Sequence, residues 1–242
     1  MNIAKYCSKF RNIQSSLLEF LEEDKDKDAD EANFEKLKNI INEYNIFKDT
    51  YEISLFLHLL SKISQNCYHD ANFFNKVERI LREYLNDIKK NLTDFKIFNI
   101  FIDSKRILLF IFEEKIININ EYMVKKITTK KYLQKKYPQY FYPEIKSFKD
   151  EEWFPQAELF SYLHTDLPEE FFELRKIGEN EKYICNLIRN DSIDDFIVYV
   201  AKNDYLLEYT IDLSIYETNS FLIKNQIDSY KKVSLIEYAA FF

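Results

Sequence analysis

The sequence predicts an all-α protein of helical hairpins stacked as an α-solenoid, and three observations carry that expectation. One glycine and four prolines occur in 242 residues, where average usage would give about 17 and about 12. Glycine supplies the positive-φ corners of tight turns and the close approach of backbone to phosphate, so sheet-rich folds are hard to build from this chain and P-loop or dinucleotide fingerprints are absent. Aromatic residues make up 17% of the chain, far more apolar surface than a disordered segment carries. Finally, apolar residues recur at helical spacing almost throughout.

Taken in order, Phe10, Ile13, Leu17 and Phe20 form a first stripe, and Phe34, Leu37, Ile41 and Tyr44 a second. Ile53, Phe56, Leu60 and Ile63 follow, then Phe73, Val77, Ile80, Tyr84 and Ile88. Each stripe needs a covering neighbour, and the short polar connections make neighbouring helices antiparallel. The segment Tyr137 to Pro143 holds two of the four prolines and reads as an extended, aromatic-anchored crossover. Asp166, Leu167 and Pro168 followed by Glu169 and Glu170 suit a helix start, and the lone Gly178 suits a helix end.

Ile97 to Phe112 resembles Ile184 to Val200 when one residue is gapped. Both read as a short helix, an Asp-Ser start signal and a second apolar helix, the repeating unit of a solenoid. Near the end of the sequence, Ser234-Leu235-Ile236-Glu237 is a capping box, with Val233 and Tyr238 placed as its hydrophobic staple. Ala239 and Ala240 give that helix a small face. The sequence stops at Phe242, eight residues past Ser234, which leads us to expect an end inside a structural unit.

Lysine and arginine total 34 against 41 acidic residues, a net charge of −7, so nucleic acid and anionic membrane are poor generic partners. Cys7, Cys67 and Cys185 are odd in number and widely spaced, as reduced thiols are in a cytoplasmic or nuclear protein. The first residues lack the apolar run of a signal peptide. The longest apolar run, Ile107 to Phe112, is a third of a membrane span.

Several constellations imitate chemistry. Asp24, Asp26, Asp28 and Asp30 with Glu35 match the liganding positions of a calcium loop. Ala29, however, stands where the turn glycine belongs, and Glu31 where an apolar residue pairs with a second loop. An acidic connector is the simpler reading, with a weak calcium-responsive loop as its alternative. Cys67, His69 and Asp70 have no matching ligand pair at zinc spacing. His58 reads as a residue at a stripe edge and His164 as a loop residue.

Lys125, Lys126, Lys130, Lys131, Lys135 and Lys136 lie near Tyr132, Tyr137 and Tyr140, a pattern that can bind single strands but that reads here as a solvated helix face. Neighbouring carboxylates such as Glu22-Glu23, Glu113-Glu114 and Glu151-Glu152 point apart on a helix. Trp153 reads as a packing anchor. No catalytic, cofactor-binding or metal-ligating set is read from the sequence.

SLIEYAA, Ser234 to Ala240, resembles the T-P-L-H-x-A-A opening of an ankyrin repeat. Ser234 stands for the capping threonine, Ile236 for the core leucine, and Ala239-Ala240 for the close-packing alanines; Leu235 replaces the proline and Glu237 the histidine. The order RKIGEN, ICNLIRNDSIDDFIVYV, ETNSFLIKN and SLIEYAAFF, together with FEEKII and YPQYFYPEI upstream, is similar to a large protist family of ankyrin-repeat proteins. In that family a helical domain of unknown function precedes the repeats.

The resemblance implies a helical domain over residues 1–180 and the start of a truncated, degenerate ankyrin region over residues 181–242. It also implies a non-enzymatic adaptor whose partner is another protein, and the charge balance above speaks against nucleic acid and membrane. Ser234, Ile236, Glu237, Ala239 and Ala240 are then its structural signature. A structural or regulatory helical scaffold is the alternative.

Overall fold

A computed structural model describes residues 3–22, 27–66, 72–129, 136–148, 167–205, 209–212, 214–219, 222–223 and 232–240. The chain is all-α: among the described residues the only strands are the two-residue β1 (Thr210–Ile211) and β2 (Val233–Ser234), which pair antiparallel. It divides into two compact units, residues 1–118 and residues 119–242.

The first unit opens with α1 (Ile3–Leu21) and α2 (Lys27–Glu43). Their stripes meet as the periodicity requires, with Ile13, Leu17, Phe20, Phe34, Leu37 and Ile41 all buried. The pair is antiparallel, since contacts run in opposite senses along the two helices. The Phe20 and Phe34 rings lie 5.0 Å apart, Lys36 pairs with Glu19 at 2.6 Å, and the Asn12 amide donates to the Tyr44 hydroxyl.

A single 3-10 turn over Ile46–Lys48 leads into α3 (Thr50–Asn66). Next come α4 (Phe73–Glu83) and α5 (Leu85–Asn91), one apolar stripe broken at Tyr84, where φ −102° and ψ 14° interrupt the helix. α6 (Asp94–Phe101) and α7 (Lys105–Glu113) close the unit. Every residue of α7 from Lys105 to Phe112 is buried, so this helix is covered on all sides. Within it Arg106 pairs with Glu78 at 2.6 Å, and just ahead of it a buried node joins Ser61, Gln65 and Ser104 through hydrogen bonds of 3.0 Å. Such a fully satisfied node fixes the register of α3 against α7 where an all-apolar contact could slide.

The second unit begins with α8 (Glu121–Thr129), α9 (Lys136–Tyr140) and α10 (Tyr142–Ile145), the last followed by a 3-10 turn over Lys146–Phe148. Tyr137 to Pro143 is therefore helical and not the extended crossover its prolines suggest. Pro138 and Pro143 each fall within the first turn of their helix, where a missing N–H costs no intrahelical bond. The aromatic anchoring does hold, because Tyr137, Tyr140 and Phe141 are buried.

α11 (Glu169–Ile177) starts after Pro168 with Glu169 and Glu170 in its first turn, and it ends at Gly178 with φ 75°. Its Arg175 is 1% exposed and pairs with Glu144 at 2.6 Å, while the Tyr140 hydroxyl donates to the Arg175 carbonyl. α12 (Tyr183–Arg189), α13 (Ile193–Lys202) and α14 (Leu235–Ala239) complete the described elements.

Candidate functional site

The α12–α13 hairpin and α14 share one small core: Ile184, Cys185, Ile211, Leu222, Val233, Leu235 and Tyr238, with Phe196, Tyr199 and Val200 of α13 packed against it. Arg189, in the last turn of α12, ties the pieces together. It pairs with Glu179 at 2.8 Å and donates to the Tyr238 hydroxyl at 2.6 Å, to the Asn180 carbonyl at 2.9 Å and to the Asn186 side chain. Burial pushes the Cys185 thiol up to about 12, against the opposing pull of the Arg189 charge. Burial likewise raises the Tyr238 phenol far above its ordinary range. Burial thus favours the neutral form of both groups, and both pack in this core.

The capping box at Ser234 is present in full. The Ser234 hydroxyl accepts from the Glu237 amide at 3.2 Å, and the Ser234 amide donates to Glu237 Oε2 at 2.9 Å. Val233 and Tyr238, the expected staple pair, are both in the core. Ile236, read as the core position, is instead 58% exposed, and Leu235 fills the core at 1%. The Leu235 amide donates to the Tyr209 carbonyl at 2.9 Å, extending the β1–β2 pairing by one bond. Ala239 and Ala240 are exposed.

The two similar segments found in the sequence are both helix–turn–helix pairs, α6–α7 and α12–α13, with Asp103-Ser104 and Asp191-Ser192 ahead of the second helix in each. Neither serine caps its helix through the hydroxyl; Ser104 spends its hydroxyl on the buried node. What separates the pairs is burial. α7 is enclosed, whereas α13 has no buried residue at all.

Phe196, Tyr199 and Val200 hold α13 to its unit by one side. The opposite side exposes Ile193 (61%), Ile197 (58%) and Val198 (65%), with Ala201 beside them. Scattered single apolar residues at a surface need no explanation, but a contiguous helical stripe does. Asp194 and Asp195 stand in the first turn of this helix and Lys202 in its last, and all three are exposed. Sequence reasoning did not single out this face, because a helix apolar on most sides reads as core.

The other constellations are placed as follows. Asp28, Asp30 and Glu35 lie within α2, while Asp24 and Asp26 are outside the described residues. Residues two apart on a helix point in different directions. Asp30 pairs with Lys76 at 2.9 Å and Arg79 at 3.4 Å, Glu31 with Arg79 at 2.5 Å, and Glu35 with Lys38 at 2.5 Å. The described carboxylates thus fasten α2 to α4 and to itself. No group of three or more His, Cys, Asp or Glu residues converges as a metal site among the described residues.

His58 is exposed on α3; Cys67, His69, Asp70, Trp153 and His164 are outside the described residues. Of the basic cluster, Lys125 and Lys126 are exposed on α8, and Lys130, Lys131, Tyr132 and Lys135 are outside the described residues. Tyr137 and Tyr140 are 2% and 0% exposed, so their faces cannot stack on a base. Glu114 pairs with Arg82 at 2.8 Å, apart from Glu113.

No protein-family model, curated protein or solved structure matches the chain. Among the described residues no helix is long and apolar enough to cross a membrane.

Proposed function

We propose that the chain is a non-enzymatic protein-interaction module of ankyrin-repeat type, working in the cytoplasm or nucleus, whose docking surface includes the outer face of α13. The single observation behind this reading is the contrast between α7 and α13. Two locally similar hairpins present their second helix to opposite fates, and only α13 carries an uncovered apolar stripe. Leaving that stripe in water forfeits roughly 25 cal/mol for each Å² of apolar area that a partner could bury.

The capping box and staple at Ser234 and the α12–α13 hairpin support the ankyrin likeness. Cys7 and Cys185, both free thiols, fit a reducing compartment. The test is affinity capture with the intact chain and with Ile197→Asp/Val198→Asp. Because both side chains already face solvent, thermal unfolding should be unchanged while the captured protein is lost. Capture that survives the double substitution sinks the reading.

A further inference from the structure

The stripe on α13 has a symmetry of charge that selects its occupant, given the interaction reading above on which this inference rests. Asp194, Ile197, Val198 and Ala201 occupy positions i, i+3, i+4 and i+7, the spacing of a helix–helix seam. The midpoint of that seam lies between Ile197 and Val198. At a rise of 1.5 Å per residue, Asp194 sits about 5 Å from the midpoint toward the start of the helix, and Lys202 about 7 Å beyond it toward the end. An antiparallel copy of the same helix therefore brings Asp194 level with Lys202 of the second copy, twice over, and sets Ile197 against Val198. A parallel copy would instead place Asp194 on Asp194 and Lys202 on Lys202.

Asp194, Asp195 and Lys202 make no ion pair within the chain among the described residues, so all three charges are available for such pairing. Negative charge at one end of the helix, positive charge at the other and an apolar middle are what a two-fold, self-complementary antiparallel contact requires.

We infer that α13 docks against α13 of a second copy of this chain, antiparallel about a two-fold axis through the Ile197–Val198 midpoint. One ten-residue helix face buries well under the ~1,200 Å² that marks stable complexes. The pairing is accordingly weak and reversible, with salt weakening it further by screening the rim charges.

Sedimentation velocity of the intact chain, run from a few to several hundred micromolar, reads this directly. Concentration-dependent dimer formation is expected. Ile197→Asp should weaken it at least tenfold, on the order of the loss from placing an unpaired charge in an apolar contact. Asp194→Lys and Lys202→Asp should each weaken it severalfold, and the double variant Asp194→Lys/Lys202→Asp should restore it, because the antiparallel pairs are re-formed with reversed sign. Circular dichroism keeps any loss of helix distinct from loss of contact.

A chain that stays monomeric at every concentration, a dimer indifferent to Ile197→Asp, or a double variant no better than its single parents overturns the inference. A monomer that still captures a different protein in an Ile197-dependent manner overturns self-docking alone. A monomer that captures nothing overturns the interaction reading with it.

Discussion

Replacing Gly178 by alanine perturbs the only glycine in the sequence at a position whose backbone is left-handed and closely packed. Gly178 ends α11 with φ 75° and ψ 21°, a left-handed conformation that costs a residue bearing a Cβ roughly 1–2 kcal/mol. An added Cβ would also meet Thr218 Cγ2 and Oγ1, each at 3.1 Å. Thr218 cannot easily move aside, since its amide and its hydroxyl both donate to the Gly178 carbonyl, at 3.0 Å and 2.7 Å. Weakening either bond adds about 1 kcal/mol. Against this, alanine stiffens the unfolded chain and returns about 0.4–1 kcal/mol.

The net expectation for Gly178→Ala is a loss of roughly 1–2 kcal/mol, with the left-handed backbone as its largest part. Urea unfolding followed by circular dichroism measures the total, and hydrogen exchange at the Thr218 amide reads the local effect. Adding Thr218→Ser removes Cγ2 but keeps Oγ1, so it should recover the steric share only. Stability equal to or above the parent, with Thr218 protection unchanged, would refute the reasoning.

Further outcomes follow from the same contacts. Ser234→Ala removes the hydroxyl from the capping box and should cost about 1 kcal/mol, read as faster exchange in α14. Glu144→Gln leaves the buried Arg175 charge without its carboxylate and should cost about 3–5 kcal/mol by denaturant unfolding. Replacing Glu144 and Arg175 together by Gln and Met should cost less than Glu144→Gln alone.

Alkylation at pH 8 should modify Cys7, which is exposed, and spare native Cys185, whose thiol burial pushes up to about 12. Glu179 is held above its ordinary 4.5 by burial, which outweighs the Arg189 charge. The stability it contributes is therefore complete below pH 4.5 and lost as pH rises through its folded value, and Glu179→Gln should flatten that part of the stability–pH curve.

The helices α1 to α5 were legible because each buries one face, so the stripes from Phe10 to Ile88 carry the helical period on their own. Gly178 and the Ser234–Glu237 box were legible because a left-handed helix end favours glycine and a capping box uses those residue types. Proline misled at Pro138 and Pro143, where a first-turn position makes it compatible with a helix. The acidic run from Asp24 to Glu35 read as a connector, whereas Asp28, Asp30 and Glu35 join one helix, on which the calcium-like intervals do not converge. Leu235 and Ile236 differ by one position, and the core that Leu235 joins is built from residues as distant in sequence as Ile184 and Ile211. The exposure of α13 was hidden for a related reason. Ile193, Phe196, Ile197, Val198 and Val200 look alike as letters, and only tertiary packing sorts them into a side that is held and a side that is open.

That open side is most directly tested by placing a photo-crosslinking residue at Ile197 and, as a control, at exposed Lys36 on α2, then irradiating intact cells. The expected result is one defined crosslinked protein, the chain itself included, from position 197 and none in common from position 36. Crosslinks to solvent alone from Ile197, or the same products from both positions, would contradict a docking face on α13.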